Sequence, residues 1–152
     1  METKILVFDM DGTIADLYSV KNWIDKLQTG DPSPYLQAKP LVKMKLFIPL
    51  LELLQKNGYK IIITSWLAKN STKEYSKEVR KAKREWLQKY NIPYDEIHIV
   101  KYGTTKANCT RKHGKGQILI DDNEKIRKGW KLGETINACE NIIPPLMKLL
   151  AK

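Results

Sequence analysis

Five short apolar runs recur along the chain, and the stretches separating them carry apolar residues at helical spacing. The runs are Lys4-Ile5-Leu6-Val7-Phe8, Lys60-Ile61-Ile62-Ile63-Thr64-Ser65, Ile97-His98-Ile99-Val100, Gln117-Ile118-Leu119-Ile120 and the weaker Thr135-Ile136-Asn137-Ala138. Continuous aliphatic runs of this length are characteristic of strands buried on both faces, as in parallel sheets covered by helices. Residues 73–90 place Tyr75, Val79, Ala82, Trp86 and Tyr90 on one helical stripe, and Lys69, Lys73, Lys77, Lys81 and Arg84 on another. Residues 41–57 are apolar on most sides, with Pro49 kinking a helix or restarting it and Asn57-Gly58 stopping it. Asn123 suits the N-cap of a helix over 123–132, and Pro144-Pro145 the first turn of one over 142–150. Strand, helix, strand repeated in this way predicts one α/β domain, a parallel sheet of about five strands with helices on both faces.

Residues 14–40 do not fit the alternation. They hold Tyr18, Trp23, Tyr35 and the turn Gly30-Asp31-Pro32-Ser33-Pro34 directly after the first strand, the place for a small cap or lid. Asp16 is the expected cap of its first helix.

Ligands of such sheets bind at the carboxyl ends of the strands. Four of the five runs end in groups capable of chemistry, namely Asp9, Thr64-Ser65, Lys101 and Asp121-Asp122. In Asp9-Met10-Asp11-Gly12-Thr13 the adjacent carboxylates would repel and raise each other's pKa, a cost a divalent cation removes. Asp121-Asp122 adds oxygen ligands, and Mg2+ suits a site of a few carboxylates, waters and substrate phosphate. Gly12 permits the sharp reversal that turns backbone amides toward a phosphate. In that chemistry Asp9 is the nucleophile, Asp11 the general acid and base, and Thr64, Ser65 and a lysine hold the phosphoryl oxygens. Neighbouring strand residues point to opposite faces, so Asp121 and Asp122 share one metal only if the strand has ended.

The order Asp9-x-Asp11-Gly12-Thr13, Thr64-Ser65, a lysine, then Asp121-Asp122 resembles the haloacid dehalogenase-like superfamily over nearly the whole chain outside the lid. The resemblance implies a Rossmann-like phosphatase with Mg2+ held by Asp9, Asp11, Asp122 and Asp121. Asp122 would be the direct ligand, with Asp121 acting through water or orienting a partner. Within the superfamily, Thr64-Ser65, Lys83-Arg84-Glu85-Trp86-Leu87-x-Lys89-Tyr90 and Leu119-Ile120-Asp121-Asp122-Asn123 look like the 5'(3')-deoxyribonucleotidase group. That implies phosphate binding by Thr64 and a lysine. Lys106 is the better match for it, Lys101 lies nearer the strand end, and Lys83 is either a second phosphate-side lysine or part of a solvated helix face. The chain departs from the group at Trp66, where proline is usual, at Thr104, where arginine is usual, and in its short lid.

The balance of 27 basic against 17 acidic residues, a net charge of +10, favours anionic ligands. No apolar run reaches the ~20 residues that span a bilayer. Met1-Glu2-Thr3-Lys4 lacks a signal peptide's pattern, and Cys109 and Cys139 have no metal or disulfide spacing. A cytoplasmic protein with two free thiols is the expectation. His98 is expected as a strand residue, His113 as solvent-exposed in the basic loop, and Trp130 and Cys139 as core. Three functions then compete. The first is a Mg2+-dependent phosphomonoesterase acting on a small phosphorylated substrate such as a (deoxy)nucleoside monophosphate. The second is the same chemistry on a phosphorylated nucleic acid end, and the third a basic nucleic-acid-binding module on a retired scaffold.

Overall fold

A computed structural model of the chain describes residues 4–151; Met1, Glu2 and Thr3, which enter the signal-peptide expectation, lie outside the described residues. The elements in chain order are β1 (Ile5–Phe8), β2 (Ala15–Asp16), α1 (Trp23–Gln28), α2 (Ser33–Gln37), β3 (Lys39–Pro40), α3 (Met44–Lys56) and β4 (Lys60–Trp66). They continue with α4 (Lys73–Lys89), β5 (Glu96–Val100), α5 (Ala107–Thr110), β6 (Gln117–Asp121), α6 (Glu124–Gly129), β7 (Thr135–Asn137) and α7 (Ile143–Lys148).

All five apolar runs are strands of one parallel sheet, in the order β5-β4-β1-β6-β7. β1 is central and wholly buried, with Ile5 opposite both Lys60 and Gln117. The strand order runs outward from β1 to β5 on one side and restarts at β6 on the other. The reversal therefore lies between β1 and β6, where the crevice of a doubly wound sheet opens.

Side chains alternate across β1. Leu6 and Phe8 face one core with Phe47, Leu51 and Leu54 of α3 and Leu146 of α7, while Ile5 and Val7 face another with Leu119, Trp130 and Leu132. Phe8 and Phe47 meet edge to face at 5.8 Å. The fold is the α/β, Rossmann-like arrangement that the strand pattern predicts.

The insertion begins and ends in an antiparallel pair, Ala15 opposite Pro40 and Asp16 opposite Lys39. It packs on α4 through Leu17, which follows β2, and Tyr35 of α2, against Tyr75, Val79 and Ala82. Two bonds tie it there: Tyr75 donates its hydroxyl to the Asp31 carbonyl at 3.0 Å, and the Trp86 indole donates to the Ala38 carbonyl at 2.7 Å.

Several local expectations are corrected. Pro49 lies inside the unbroken α3 rather than at its start, and α6 stops at Gly129, short of Leu132. Asp16 makes no capping hydrogen bond, because residues 17–19 form a short 3-10 turn between β2 and the first helix. Cys139 is exposed, since β7 ends at Asn137 and the chain turns there; both cysteines are free thiols. Trp130 is buried as expected, and its indole donates to the Gln117 carbonyl at 3.2 Å. Among the described residues no helix is long and apolar enough to cross a membrane.

Candidate active site

β1 delivers Asp9 to the crevice. The Asp9 amide still donates to the Ile120 carbonyl of β6 at 2.9 Å, so the carboxylate leaves the sheet at a fixed point beside Asp121. Its two oxygens are separately held: Lys106 Nζ donates to Oδ1 at 2.7 Å and Thr13 Oγ1 to Oδ2 at 2.8 Å. The Met10 carbonyl accepts from the amides of Thr13, Ile14 and Ala15. That tight loop returns the Thr13 hydroxyl to the carboxylate.

Gly12 makes the loop possible. Its φ is +84°, and a Cβ there would collide with the Asp122 carboxylate and come within 2.8 Å of the Tyr18 ring.

β6 delivers the second pair. Asp121 is the last strand residue and Asp122 the first beyond it, so the strand has ended where both carboxylates must converge. Asp121 is buried, accepting from Lys106 Nζ at 2.9 Å and from the Asn123 amide at 2.9 Å. One oxygen from each of Asp9, Asp121 and Asp122 lies within 4.8 Å of the others. Burial, with Asp9 and Asp121 close by, pushes the Asp122 carboxyl well above the usual carboxylate range. Lys106 is held protonated; burial disfavours its charge, but Asp9 and Asp121 outweigh that and raise its pKa. Three carboxylates around one ammonium leave surplus negative charge, so the donor set fits a hard divalent cation such as Mg2+.

Asp11 lies outside that trio. Its Oδ2 accepts from Lys83 Nζ at 2.8 Å. Burial lifts the Asp11 carboxyl above its usual range, and Lys83 partly offsets the rise.

Lys83 is not on a solvated helix face. It is fully buried, also donating to Ser65 Oγ and to the Trp66 carbonyl, both at 2.7 Å, with its ammonium 4.9 Å from the Tyr35 ring centroid. Periodicity carried the signal: Lys83 follows Val79 by four residues and precedes Trp86 and Leu87 by three and four, which places it on the apolar stripe.

Thr64 and Ser65 are both buried at the end of β4. The Ser65 hydroxyl is engaged by Lys83, whereas the Thr64 hydroxyl has no hydrogen-bond partner among the described residues. Of the two competing lysines, Lys106 meets Asp9, while Lys101 is exposed. His98 is a half-buried strand residue as expected. His113 is also half-buried rather than solvent-exposed, and both rings bond Glu96 of β5.

Aromatic rings wall the approach, and sequence reasoning did not place them there. Tyr18 and Trp23 of the insertion pack at 5.1 Å, and Trp66 and Tyr102, after β4 and β5, pack at 5.0 Å. Both pairs line one hollow of about 340 Å³ that opens on Asp11. The available signal was strand adjacency, because Trp66 is opposite Val100 in register and Tyr102 lies two residues on. Trp66 also stands 5.6 Å from Lys106 Nζ, centroid to nitrogen, and its indole donates to the Thr104 carbonyl at 2.8 Å. Two departures from the nucleotidase pattern thus meet in one contact.

No protein-family model matches the sequence, and no curated protein matches it significantly. Solved structures do resemble it. One is a chain of a Pnkp1/Rnl/Hen1 complex, at 18% identity and TM-score 0.59 over 88% of this chain and 45% of that one. A chain of the Pnkp1/Rnl/Hen1 RNA repair complex matches at 18% identity and TM-score 0.59, over 89% and 42%. This chain therefore spans less than half the length of those two. A D,D-heptose 1,7-bisphosphate phosphatase from Burkholderia thailandensis aligns end to end, over 99% and 100%, at 10% identity and TM-score 0.58. Identities this low establish the fold alone, and they give no support to the narrower deoxyribonucleotidase group.

Proposed function

We propose that the chain is a Mg2+-dependent phosphomonoesterase working through an aspartyl-phosphate on Asp9. The observation that carries this reading is the Asp9 carboxylate held between Lys106 and Thr13 at the crevice, beside Asp121 and Asp122. Asp9, Asp121 and Asp122 would hold the cation, which when bound supplies charge neutralisation for the approaching phosphoryl group.

An Asp9 oxygen attacks phosphorus, and the bond from phosphorus to the ester oxygen breaks. Asp11 gives its proton to the departing oxygen, then takes one from the water that attacks the aspartyl-phosphate. Inorganic phosphate leaves and the Asp9 carboxylate is regenerated. Lys106 and the buried Thr64 hydroxyl offer donors to the phosphoryl oxygens. Lys83 holds Asp11 in place, and residues 14–40 act as a cap anchored on α4. The setting is a reducing one, the cytoplasm, in keeping with two free thiols.

The leaving group on this reading carries a planar ring. A nucleoside monophosphate is one such substrate, since the hollow beside Asp11 is walled by Tyr18, Trp23, Trp66 and Tyr102. A screen of nucleotides, sugar phosphates and p-nitrophenyl phosphate with Mg2+ tests it. Hydrolysis that disappears in Asp9→Asn, with nucleotides ahead of sugar phosphates, is expected. Equal turnover by Asp9→Asn removes the nucleophile, and a preference for sugar phosphates removes the ring-binding role of the hollow.

A further inference from the structure

The Trp66–Tyr102 pair does more than wall the hollow beside Asp11. Tyr102 also lines a second hollow of about 540 Å³ next to Lys106 and a third of about 420 Å³ that leads away from the site. In the third, Lys69, Lys73 and Lys101 line the walls with no acidic residue among the lining side chains. All three lysines are exposed, and none forms an ion pair with an acidic side chain among the described residues. Tyr102 is 49% exposed although its ring lies against Trp66, so part of the residue is open to solvent between two grooves. Beyond Lys69 the hollow lined by Glu74 and Glu78 turns acidic, which sets an outer limit to the basic path.

We propose that the substrate is the phosphorylated end of a single-stranded nucleic acid, which leaves the site over Tyr102 and Trp66 with its following phosphates on Lys69, Lys73 and Lys101. This deepens the phosphomonoesterase reading and rests on it for the terminal phosphate alone. A free nucleotide uses only the hollow beside Asp11, which Lys69 also borders, and leaves Lys73 and Lys101 idle. A single strand uses both features, because unpaired bases stack on aromatic rings and its backbone charges require cations along their course. Exposed rings flanked by lysines with no acidic partners suit this ligand and would repel a cationic or acid-seeking one.

The test compares one nucleoside monophosphate with 3'- and 5'-phosphorylated single-stranded oligonucleotides, in wild type, in Lys69→Ala/Lys73→Ala/Lys101→Ala and in Tyr102→Ala. We expect kcat/KM for a phosphorylated oligonucleotide to exceed that for the mononucleotide at low salt. The triple variant should abolish the excess and lower the slope of log affinity against log salt by about 2, from ~0.7 per phosphate. Tyr102→Ala should weaken oligonucleotide binding by about thirtyfold, the middle of the range for one stacked base. Lys73→Ala/Lys101→Ala, whose side chains line the third hollow and not the one beside Asp11, should leave p-nitrophenyl phosphate turnover unchanged.

Binding of the same oligonucleotides to Asp9→Asn by fluorescence anisotropy keeps the two ideas separate. If wild type hydrolyses no phosphomonoester, the enzymatic reading falls, and the anisotropy series still decides the strand path. If p-nitrophenyl phosphate and mononucleotides are hydrolysed but oligonucleotides bind no better, or bind equally to the triple variant, the strand path is overturned and the enzyme stands.

Discussion

Replacing Lys83 with methionine isolates the least expected interaction in the site. Methionine keeps the unbranched shape of the side chain out to Cε and removes the charge, so the α4 packing between Val79 and Trp86 is largely retained. What disappears is one ammonium and three bonds, to Asp11 Oδ2, Ser65 Oγ and the Trp66 carbonyl. Breaking one side of a buried ion pair costs about 3–5 kcal/mol, because the remaining charge is left uncompensated. The Asp11 side chain retains 16% of its exposure, so water can approach it, and the lower end, about 3 kcal/mol, is the reasonable figure. For a domain of this size that lowers Tm by roughly 6–12 °C.

The loss should depend on pH with a definite sign. Asp11 already titrates above its unfolded value through burial, with Lys83 pulling it back, so removing Lys83 raises it further. A carboxyl raised on folding costs stability as pH climbs through its folded pKa, because the unfolded chain then ionises more readily. The deficit of Lys83→Met should therefore be larger at pH 8 than at pH 5. The assay is thermal or urea unfolding of Lys83→Met, Asp11→Asn and the double variant, without metal. A coupling of about 2 kcal/mol between the two sites is expected from direct contact. Melting within 2 °C of wild type, or strictly additive effects, would refute the idea that Lys83 compensates Asp11.

Gly12→Ala should lose about 1–3 kcal/mol of stability, from the left-handed φ and the collision with Asp122 and Tyr18, and most of its turnover; near-wild-type melting and kcat would contradict it. Glu96 accepts from Lys60, His98 and His113 and also pairs with Lys112; partial burial pushes its carboxyl up, but these partners outweigh that and hold it at about 2. Because its pKa falls on folding, its contribution is present above about pH 4.5 and lost as pH falls toward 2. Urea unfolding should put Glu96→Gln about 1 kcal/mol below wild type at pH 5.5, after discounting for solvent screening, with the gap closing near pH 2. Mg2+ at 100-fold over its Kd should raise stability by about 2.7 kcal/mol, seen as a Tm shift without any substrate. Asp122→Asn should remove that shift, and an unchanged shift would exclude Asp122 from the cation site.

β1, β4 and β6 were legible because buried parallel strands are written as continuous Ile, Leu and Val runs, whereas β5 is interrupted by His98 and β7 is a short, partly exposed edge. The site carboxylates were legible for a related reason, since each follows such a run directly, as Asp9 follows Phe8 and Asp121 follows Ile120. Lys106 and Lys101 could not be separated by spacing, because the turn after β5 decides which reaches Asp9. Lys83 was readable in part: its stripe was apolar, yet a lysine there makes sense only once Asp11 and Ser65 are known to lie opposite. The aromatic walls depend on contacts between the insertion, the end of β4 and the end of β5, all distant in sequence. Asp16 and Cys139 were misassigned for the opposite reason, since local patterns suggested a cap and a core residue where tertiary turns had already redirected the chain.

The nucleophile can be tested by chemistry rather than by loss of function. Wild-type protein is mixed with a 32P-labelled phosphomonoester that it turns over, with Mg2+, and quenched in acid within the first turnovers. Label bound to denatured protein, released by hydroxylamine and mapping to the peptide that contains Asp9, is the expected result, with none retained by Asp9→Asn. Turnover without protein-bound label, or label that persists in Asp9→Asn, would contradict an aspartyl-phosphate at Asp9.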